Sequence, residues 1–463
     1  MLNQAIKIWS EKAQQLRANK KRGYIHFDQK PNLVNVCKVV SNPQEIAGHH
    51  FYPFIEKIIL TPRYKKDKDS GERKKDTKER SVMYASHMDA HIYSYYNILL
   101  ELAYEEKIKE EAYSKFILAY RKFKDESGKG KCNIHFAHEL FEAVKEKGEC
   151  VILAFDISNF YTNLDHKLLL KSWKDILGVD NLPEDHYNVF KSITRYSKVS
   201  RKILHEEFKI EDKQEKIKRL CTAEQFRDVV RKKGFIVPNK EGKGIPQGAP
   251  MSGLLSNLYM LNFDKMAYQE IFEKQNGLYR RYSDDIIVVC STQQQREIEN
   301  WIKCEISNQL KLEINTDKTE VTYIKLSDDG SLRAFKDFEG NIRRNAQYLG
   351  FEFNGKNCFI RSSSLARYYR RMKMRVRMAK KRAERTTALN KIVFKKKLLI
   401  RNSDYIFKIQ QGSNKASKSK YLTANFVTYA QKAAKSMKED KINKQISPHL
   451  KKLHQEVLKK IIK

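Results

Sequence analysis

Paired cysteines, a membrane-length apolar run and a balance of acid against base are all missing from this 463-residue chain. Its cysteines (Cys37, Cys132, Cys150, Cys221, Cys290, Cys304 and Cys358) are scattered, with no C-x-x-C pair. That spacing argues against a disulfide framework or a zinc knuckle and fits buried free thiols in a reducing, cytoplasmic setting. No run approaches the roughly 20 apolar residues that span a bilayer, so no membrane role is expected. The opening residues, MLNQAIKIWS, read as an amphipathic helix too polar for a signal peptide. No internal repeat is visible.

Acid is scarce where base is dense. Lys and Arg total 91 against 56 Asp and Glu, a net charge of +35. Without an anchor or spanning segment, such a surface favours nucleic acid over membrane. The excess is local: residues 361–463 hold 30 Lys/Arg against 5 Asp/Glu, or +25 of the total. A charge run can be just a solvated helix face, but an imbalance of this size repels itself unless phosphate is near.

What is present centres on residues 279–289, YRRYSDDIIVV. Apolar runs on both sides of Ser283-Asp284-Asp285 predict two strands joined by a tight turn. Two adjacent carboxylates at a hairpin tip repel, unless the turn is simply solvated, and divalent metal is the usual remedy. A second apolar run, CVILAFD, ends at Asp156, as expected of a buried strand presenting its acid at an edge. Asp156, Asp284 and Asp285 brought together would suit a two-metal phosphoryl-transfer site. Between them lies GIPQGAPMS (244–252), a Gly/Pro turn entering an apolar helix. Such a turn lets backbone approach a ligand and offers free N–H groups.

In this order the segments resemble the reverse transcriptases. Phe155-Asp156 looks like their motif A, Pro246-Gln247-Gly248 motif B, and Tyr282-Ser283-Asp284-Asp285 motif C. LKLEINTDKT (310–319) looks like motif D and Tyr348-Leu349-Gly350-Phe351 like the motif E primer grip. Further segments resemble the bacterial "unknown group", whose characterised members are defence-associated, abortive-infection-like enzymes often partnered by a non-coding RNA. They are RGYIHFD (22–28), HFYPF (50–54), YASHMD (84–89), KCNIHFA (131–137) and NFVTY (425–429). Retrons and group II introns share the core, but their own motifs and a Cys/His-rich endonuclease segment are not evident.

The resemblance implies an α+β right-hand polymerase fold: fingers, a palm with an antiparallel sheet, a helical thumb, and helical N- and C-terminal extensions. The expected boundaries are 1–57 for the N-terminal extension, 58–149 for fingers, 150–360 for palm and 361–463 for basic thumb and tail. The palm would carry a mostly helical insertion at 167–235, residues 64–80 would be a mobile fingers tip, and 411–420 a basic loop. It implies two Mg²⁺ ions, with Mn²⁺ able to substitute, held by Asp156, Ile157, Asp284 and Asp285. Lys318 would protonate departing pyrophosphate; Lys78, Arg80 and Arg121 would clamp the triphosphate. Tyr161 would be the steric gate that excludes a 2′-hydroxyl, unless it is a core tyrosine, and Gln247 and Gly248 would line the nascent pair. Tyr348, Leu349 and Gly350, with Arg370, Arg371, Lys373, Arg375 and Arg377, would grip primer and nucleic acid. Tyr368 and Tyr369 could pack in the helix core or stack on bases.

The expected function is RNA-directed DNA synthesis from dNTPs in bacterial antiphage defence, with a cognate non-coding RNA as template and DNA as product. Template-independent or protein-primed synthesis, and a silent RNA-binding scaffold, are the alternatives. The composition also permits an oligomer.

Overall fold

The computed structural model describes residues 2–18, 23–66, 72–210, 218–384 and 426–457. The expected basic loop at 411–420, residues 67–71 of the expected fingers tip and residues 211–217 of the insertion lie outside the described residues. The chain divides into two compact units, and the division passes through two strands.

The first unit holds residues 1–121, 154–288 and 296–319. Helix α1 (Leu2–Ala18) buries Ala5, Trp9 and Ala13, a spacing of four that places them on one face. That face packs on α2 (His87–Ile108), where Trp9 meets His91 edge to face. α2 is buried nearly all round, as befits a central helix. Its first turn is capped twice. Ser86 Oγ accepts from the Asp89 N–H, and the Asp28 carboxylate accepts from the N–H groups of His87 and Met88 at 3.0 and 2.9 Å.

Strands β1 (Phe54–Lys66) and β2 (Arg73–Tyr84) form a long antiparallel hairpin. β3 (Cys150–Asp156) ends the apolar run before the first acid. β4 (Ser197–Ser200) then adds to β1 in parallel, and β5 (Val237–Pro238) pairs with β4, giving the sheet order β2-β1-β4-β5. Residues 167–235 are therefore not helical throughout. Helices α3 (His166–Leu177) and α4 (Glu184–Thr194) are followed by a strand that extends the hairpin sheet. Val199, Leu204, Leu220, Phe226 and Val230 from this stretch bury with Phe27 and Ile55. α5 (Ser252–Ala267) is the helix expected after the Gly/Pro turn. β6 (Leu278–Tyr282) and β7 (Asp285–Cys290) follow it, side by side with the end of β3 in the order β6-β7-β3. α6 (Gln295–Asn308) comes next in the chain.

The second unit holds residues 122–153, 289–295 and 320–463. β8 (Glu320–Leu326) and β9 (Leu332–Phe335) pair antiparallel. β10 (Ala346–Tyr348), β11 (Phe351–Phe353) and β12 (Cys358–Ile360) make a small sheet. Phe353 stacks on Phe141 of the helix Asn133–Lys147, centroids 4.9 Å apart. α7 (Ser362–Glu384) is followed by α8 (Phe426–Ser436), α9 (Asp440–Ile446) and α10 (His449–Val457). The open edge of β12 is covered by side chains. Glu439 accepts from the Cys358 N–H at 2.9 Å, and Gln445 both accepts from the Ile360 N–H and donates to its carbonyl.

On α7 burial follows the helical repeat. Met372 and Val376 are buried, four residues apart, while Met374 and Met378 are exposed. Tyr368 is half-buried, stacked on Phe426 at 4.4 Å with its hydroxyl on His449. All the described cysteines are free.

Candidate active site

Ser283 and Asp284 form the two-residue loop between β6 and β7, so the acid pair sits at a hairpin tip as expected. Ser283 takes a left-handed φ of +62°, which a residue with a side chain adopts only when its surroundings enforce it. The two-residue hairpin loop calls for it, and Arg281 braces it. It is fully buried, donating from Nε and Nη2 to the two carboxylate oxygens of Asp264 on α5 at 2.7 and 2.6 Å. Its Nη1 donates to the Ser283 carbonyl at 3.0 Å and to Asn257 Oδ1 at 3.2 Å. The Tyr279 hydroxyl adds a third donor to Asp264 at 2.6 Å. The guanidinium fork thus ties the acid-bearing turn to a rigid helix.

Asp156 ends β3, and the chain beyond it is fixed by a bridge between Ile157 and Ile314. The bridge uses the N–H of Ser158 toward the Glu313 carbonyl and the N–H of Asn315 toward the Asp156 carbonyl, both at 2.7 Å. The Ile157 carbonyl stays outside that pairing. The Lys318 ammonium forms an ion pair with the Asp156 carboxylate. Burial, and then the negative charge of Asp156, hold the Asp284 carboxyl above the usual carboxylate range. Asp156 and Asp284 are therefore electrostatically coupled, and Lys318 sits where positive charge relieves them.

The chemistry of these donors is the kind that would suit a divalent ion. Mg²⁺ is commonly held by one or two carboxylates, with substrate phosphates and water completing its shell. Asp156, Asp284 and the Ile157 carbonyl would be the hard oxygens to hold it. Asp285 opens β7 and is exposed. Among the described residues no three His, Cys, Asp or Glu side chains are grouped as a metal site.

Beside the acid turn lies a cavity of about 390 Å³. Tyr161, Gln247 and Gly248 line it, which brings together three of the residues expected around a nucleotide. Asn159, with a left-handed φ of +46°, starts the short turn that carries Tyr161. The Tyr161 hydroxyl lies 3.2 Å from Ser283 Oγ, and burial first of all keeps its pKa above the ordinary phenol value. The Gln247 carbonyl accepts from the Met83 N–H at 2.8 Å, clamping the loop to the end of β2. At Gly248 φ is +112°, and a Cβ would come 2.8 Å from the Met83 carbonyl oxygen, so no other residue fits without displacing β2.

Other expected residues are placed differently. Arg121 is not presented to the cavity: its fork is filled by Glu105 through two bonds of 2.8 Å, and Nη1 donates to the Ile117 carbonyl at 3.2 Å. A cation at 121 thus serves packing, with the side chain buried under Tyr104. Lys78 and Arg80 are exposed on one face of β2, opposite Thr61 and Ile59, and neither lines the cavity. In the second unit, Tyr348 is buried at the end of β10, and Leu349 and Gly350 make the turn into β11 with φ of +44° and +92°. Arg370, Arg371, Lys373, Arg375 and Arg377 are all exposed on α7, with Lys373 3.5 Å from Glu456. The described parts of these segments, at 23–28, 50–54 and 84–89, gather in the first unit. There Tyr24 stacks on His87, Asp28 caps α2, and the Tyr52 N–H donates to the buried Asp89 at 2.9 Å.

The model of one protein family, described as reverse transcriptase (RNA-dependent DNA polymerase), matches residues 103–353. The chain belongs to that family. The match runs across both carboxylate segments, the Gly/Pro loop and the Tyr348 turn, and the architecture is the mixed α/β polymerase fold of this family. Solved structures with which the chain aligns include apo telomerase from Candida tropicalis, at TM-score 0.43 and 12% identity over 78% of this chain and 53% of that one. Telomerase from Candida albicans in complex with a TWJ fragment of telomeric RNA aligns at TM-score 0.42 and 11% identity, over 90% and 63%. The chain spans between 53% and 63% of the length of these telomerase chains. No curated protein matches it. Among the described residues no helix is long and apolar enough to cross a membrane.

Proposed function

We propose that the chain is an RNA-directed DNA polymerase that adds dNTPs to a primer 3′ end with Asp156, Asp284 and the Ile157 carbonyl as the metal-holding set. The observation that carries this reading is the Ser283-Asp284 turn lying against a cavity lined by Tyr161, Gln247 and Gly248, with the Tyr161 hydroxyl 3.2 Å from Ser283 Oγ. Two divalent ions bound there would lower the charge on the attacking and leaving oxygens. The chain's own residues do the rest. Arg281 and Asp264 hold the acid turn in place, Tyr161 closes the sugar side, and the Gly248 backbone lets the nascent pair approach. Lys318 stands beside Asp156, ready to give a proton to departing pyrophosphate.

We place the enzyme in the bacterial defence-associated group, with a partner non-coding RNA as template. Two features support this placement: the packing together of residues 23–28, 50–54 and 84–89, and the basic exposed face of α7. In this reading residues 58–149 act as fingers, 150–360 as palm and 361–463 as a thumb that binds structured RNA.

The test is to purify the protein with its bound RNA, supply Mg²⁺ and labelled dNTPs, and sequence both RNA and product. DNA complementary to the copurified RNA, lost after ribonuclease treatment, is the expected result. Synthesis that survives ribonuclease would favour the template-independent or protein-primed alternative. Bound RNA without any synthesis would favour a silent scaffold.

A further inference from the structure

Tyr120 is in an unusual position. Its backbone is left-handed, with φ of +61°, and its ring is 53% exposed, so neither a helix nor a hydrophobic core holds it there. A bulky residue in this region is strained and persists only when its neighbours fix it. They do so on both sides. The Leu118 N–H donates to the Arg281 carbonyl at 2.9 Å, Asn257 donates to the Ala119 carbonyl at 2.8 Å, and Arg121 is locked by Glu105.

The strain aims the ring at the cavity, where it lies against the first turn of α5. A Cβ on Gly253 would come 2.7 to 2.9 Å from three atoms of that ring. Real Cβ atoms do not approach so closely, so the ring's seat exists because residue 253 has no side chain. From there the Tyr120 hydroxyl reaches the Tyr161 hydroxyl at 2.7 Å. Tyr161 in turn lies 3.2 Å from Ser283 Oγ, on the acid turn itself.

We propose that Tyr120 is a positioning residue for sugar selection, pinning the hydroxyl end of the Tyr161 ring so that the gate cannot swing aside for a 2′-hydroxyl. This rests on the reading of Tyr161 as the gate. A gate made of one ring with free rotation discriminates poorly, because a ribonucleotide can push it to another rotamer. Tied at its tip to Tyr120 and near Ser283, the ring keeps one position, and displacing it costs a hydrogen bond as well as packing.

The experiment compares kcat/KM for a deoxynucleotide and its matching ribonucleotide, on one template, in five variants: Tyr120→Phe, Tyr120→Ala, Gly253→Ala, the Tyr120→Ala/Gly253→Ala double and Tyr161→Val. Tyr120→Phe removes only the hydroxyl of a half-exposed ring and should fold normally. It should lower deoxy-over-ribo selectivity by about two- to tenfold, the equivalent of one ordinary hydrogen bond. Gly253→Ala evicts the ring and should match Tyr120→Ala. The double variant should show no further loss, because both changes remove the same interaction. A purely structural role would lower both efficiencies together and leave the ratio unmoved. If Tyr161→Val changes the ratio while every Tyr120 and Gly253 variant keeps the wild-type value, the pinning proposal fails and the gate stands. If Tyr161→Val also leaves the ratio unchanged, the gate reading fails and takes the proposal with it.

Discussion

Arg281 allows stability and catalysis to be pulled apart. Arg281→Met removes the guanidinium from a site with no solvent access and leaves the Asp264 carboxylate buried with Tyr279 as its remaining strong donor. The two bonds to Asp264, at 2.7 and 2.6 Å, are lost, as are those to Ser283 and Asn257. Stripping one partner from a buried ion pair costs about 3–5 kcal/mol, chiefly because the other charge stays desolvated. Chemical denaturation of the first unit's transition should show a loss of that size. Arg281→Met/Asp264→Leu removes both charges and should recover most of it, since an apolar pair of similar volume is often neutral or better. DNA synthesis should not recover. With no donor on its carbonyl, Ser283 has less reason to hold a φ of +62°, and Asp284 loses its aim. A single-mutant cost below about 1 kcal/mol, as for a surface pair, would refute the energetic argument. A double mutant that polymerises at the wild-type rate would refute the positioning role.

Two further outcomes follow from the structure. Burial, and then the charge of His87, lower His26 from 6.5 to about 3, so the native state refuses a proton that the unfolded chain accepts. Stability should be full above the unfolded value and fall with pH below it, on the order of 2 kcal/mol by about pH 5; His26→Gln should flatten that acid limb in thermal melts. An unchanged limb would mean His26 is protonated while folded. Replacing Arg370, Arg371, Lys373, Arg375 and Arg377 with Ala leaves the buried Met372 and Val376 in place. RNA affinity should then weaken and depend less on salt, by roughly 0.7 to 0.9 of a log–log unit for each phosphate no longer neutralised. An identical salt slope would move the RNA grip elsewhere.

Much of the site could be read in the sequence because it follows local rules. A turn between two apolar runs gave the Asp284 hairpin, an apolar run gave the Asp156 strand, and a Gly/Pro cluster gave the loop into α5. What could not be read depends on long-range packing. Arg281 and Asp264 look like an ordinary strand cation and helix acid, and nothing local shows that they are the buried pair behind the turn. Arg121 carries the right chemistry for phosphate, but Glu105, sixteen residues earlier on α2, already occupies its fork. Tyr120 was missed because a left-handed backbone at a tyrosine leaves no trace in composition; Gly253 opposite it was the faint signal. β4 was hidden in a charged, helix-rich stretch because its partner, β1, lies over 130 residues away.

In the proposed function, Asp156 at the end of β3 and Asp284 in the β6–β7 turn hold the metal for nucleotidyl transfer. The most direct measurement is dNTP incorporation by Asp284→Asn/Asp285→Asn on the copurified RNA at saturating Mg²⁺, beside wild type with and without EDTA. We predict no incorporation by the double variant, with folding and RNA retention near normal, and none by wild type once EDTA removes the metal. Polymerisation by the double variant at a measurable fraction of the wild-type rate would contradict the account.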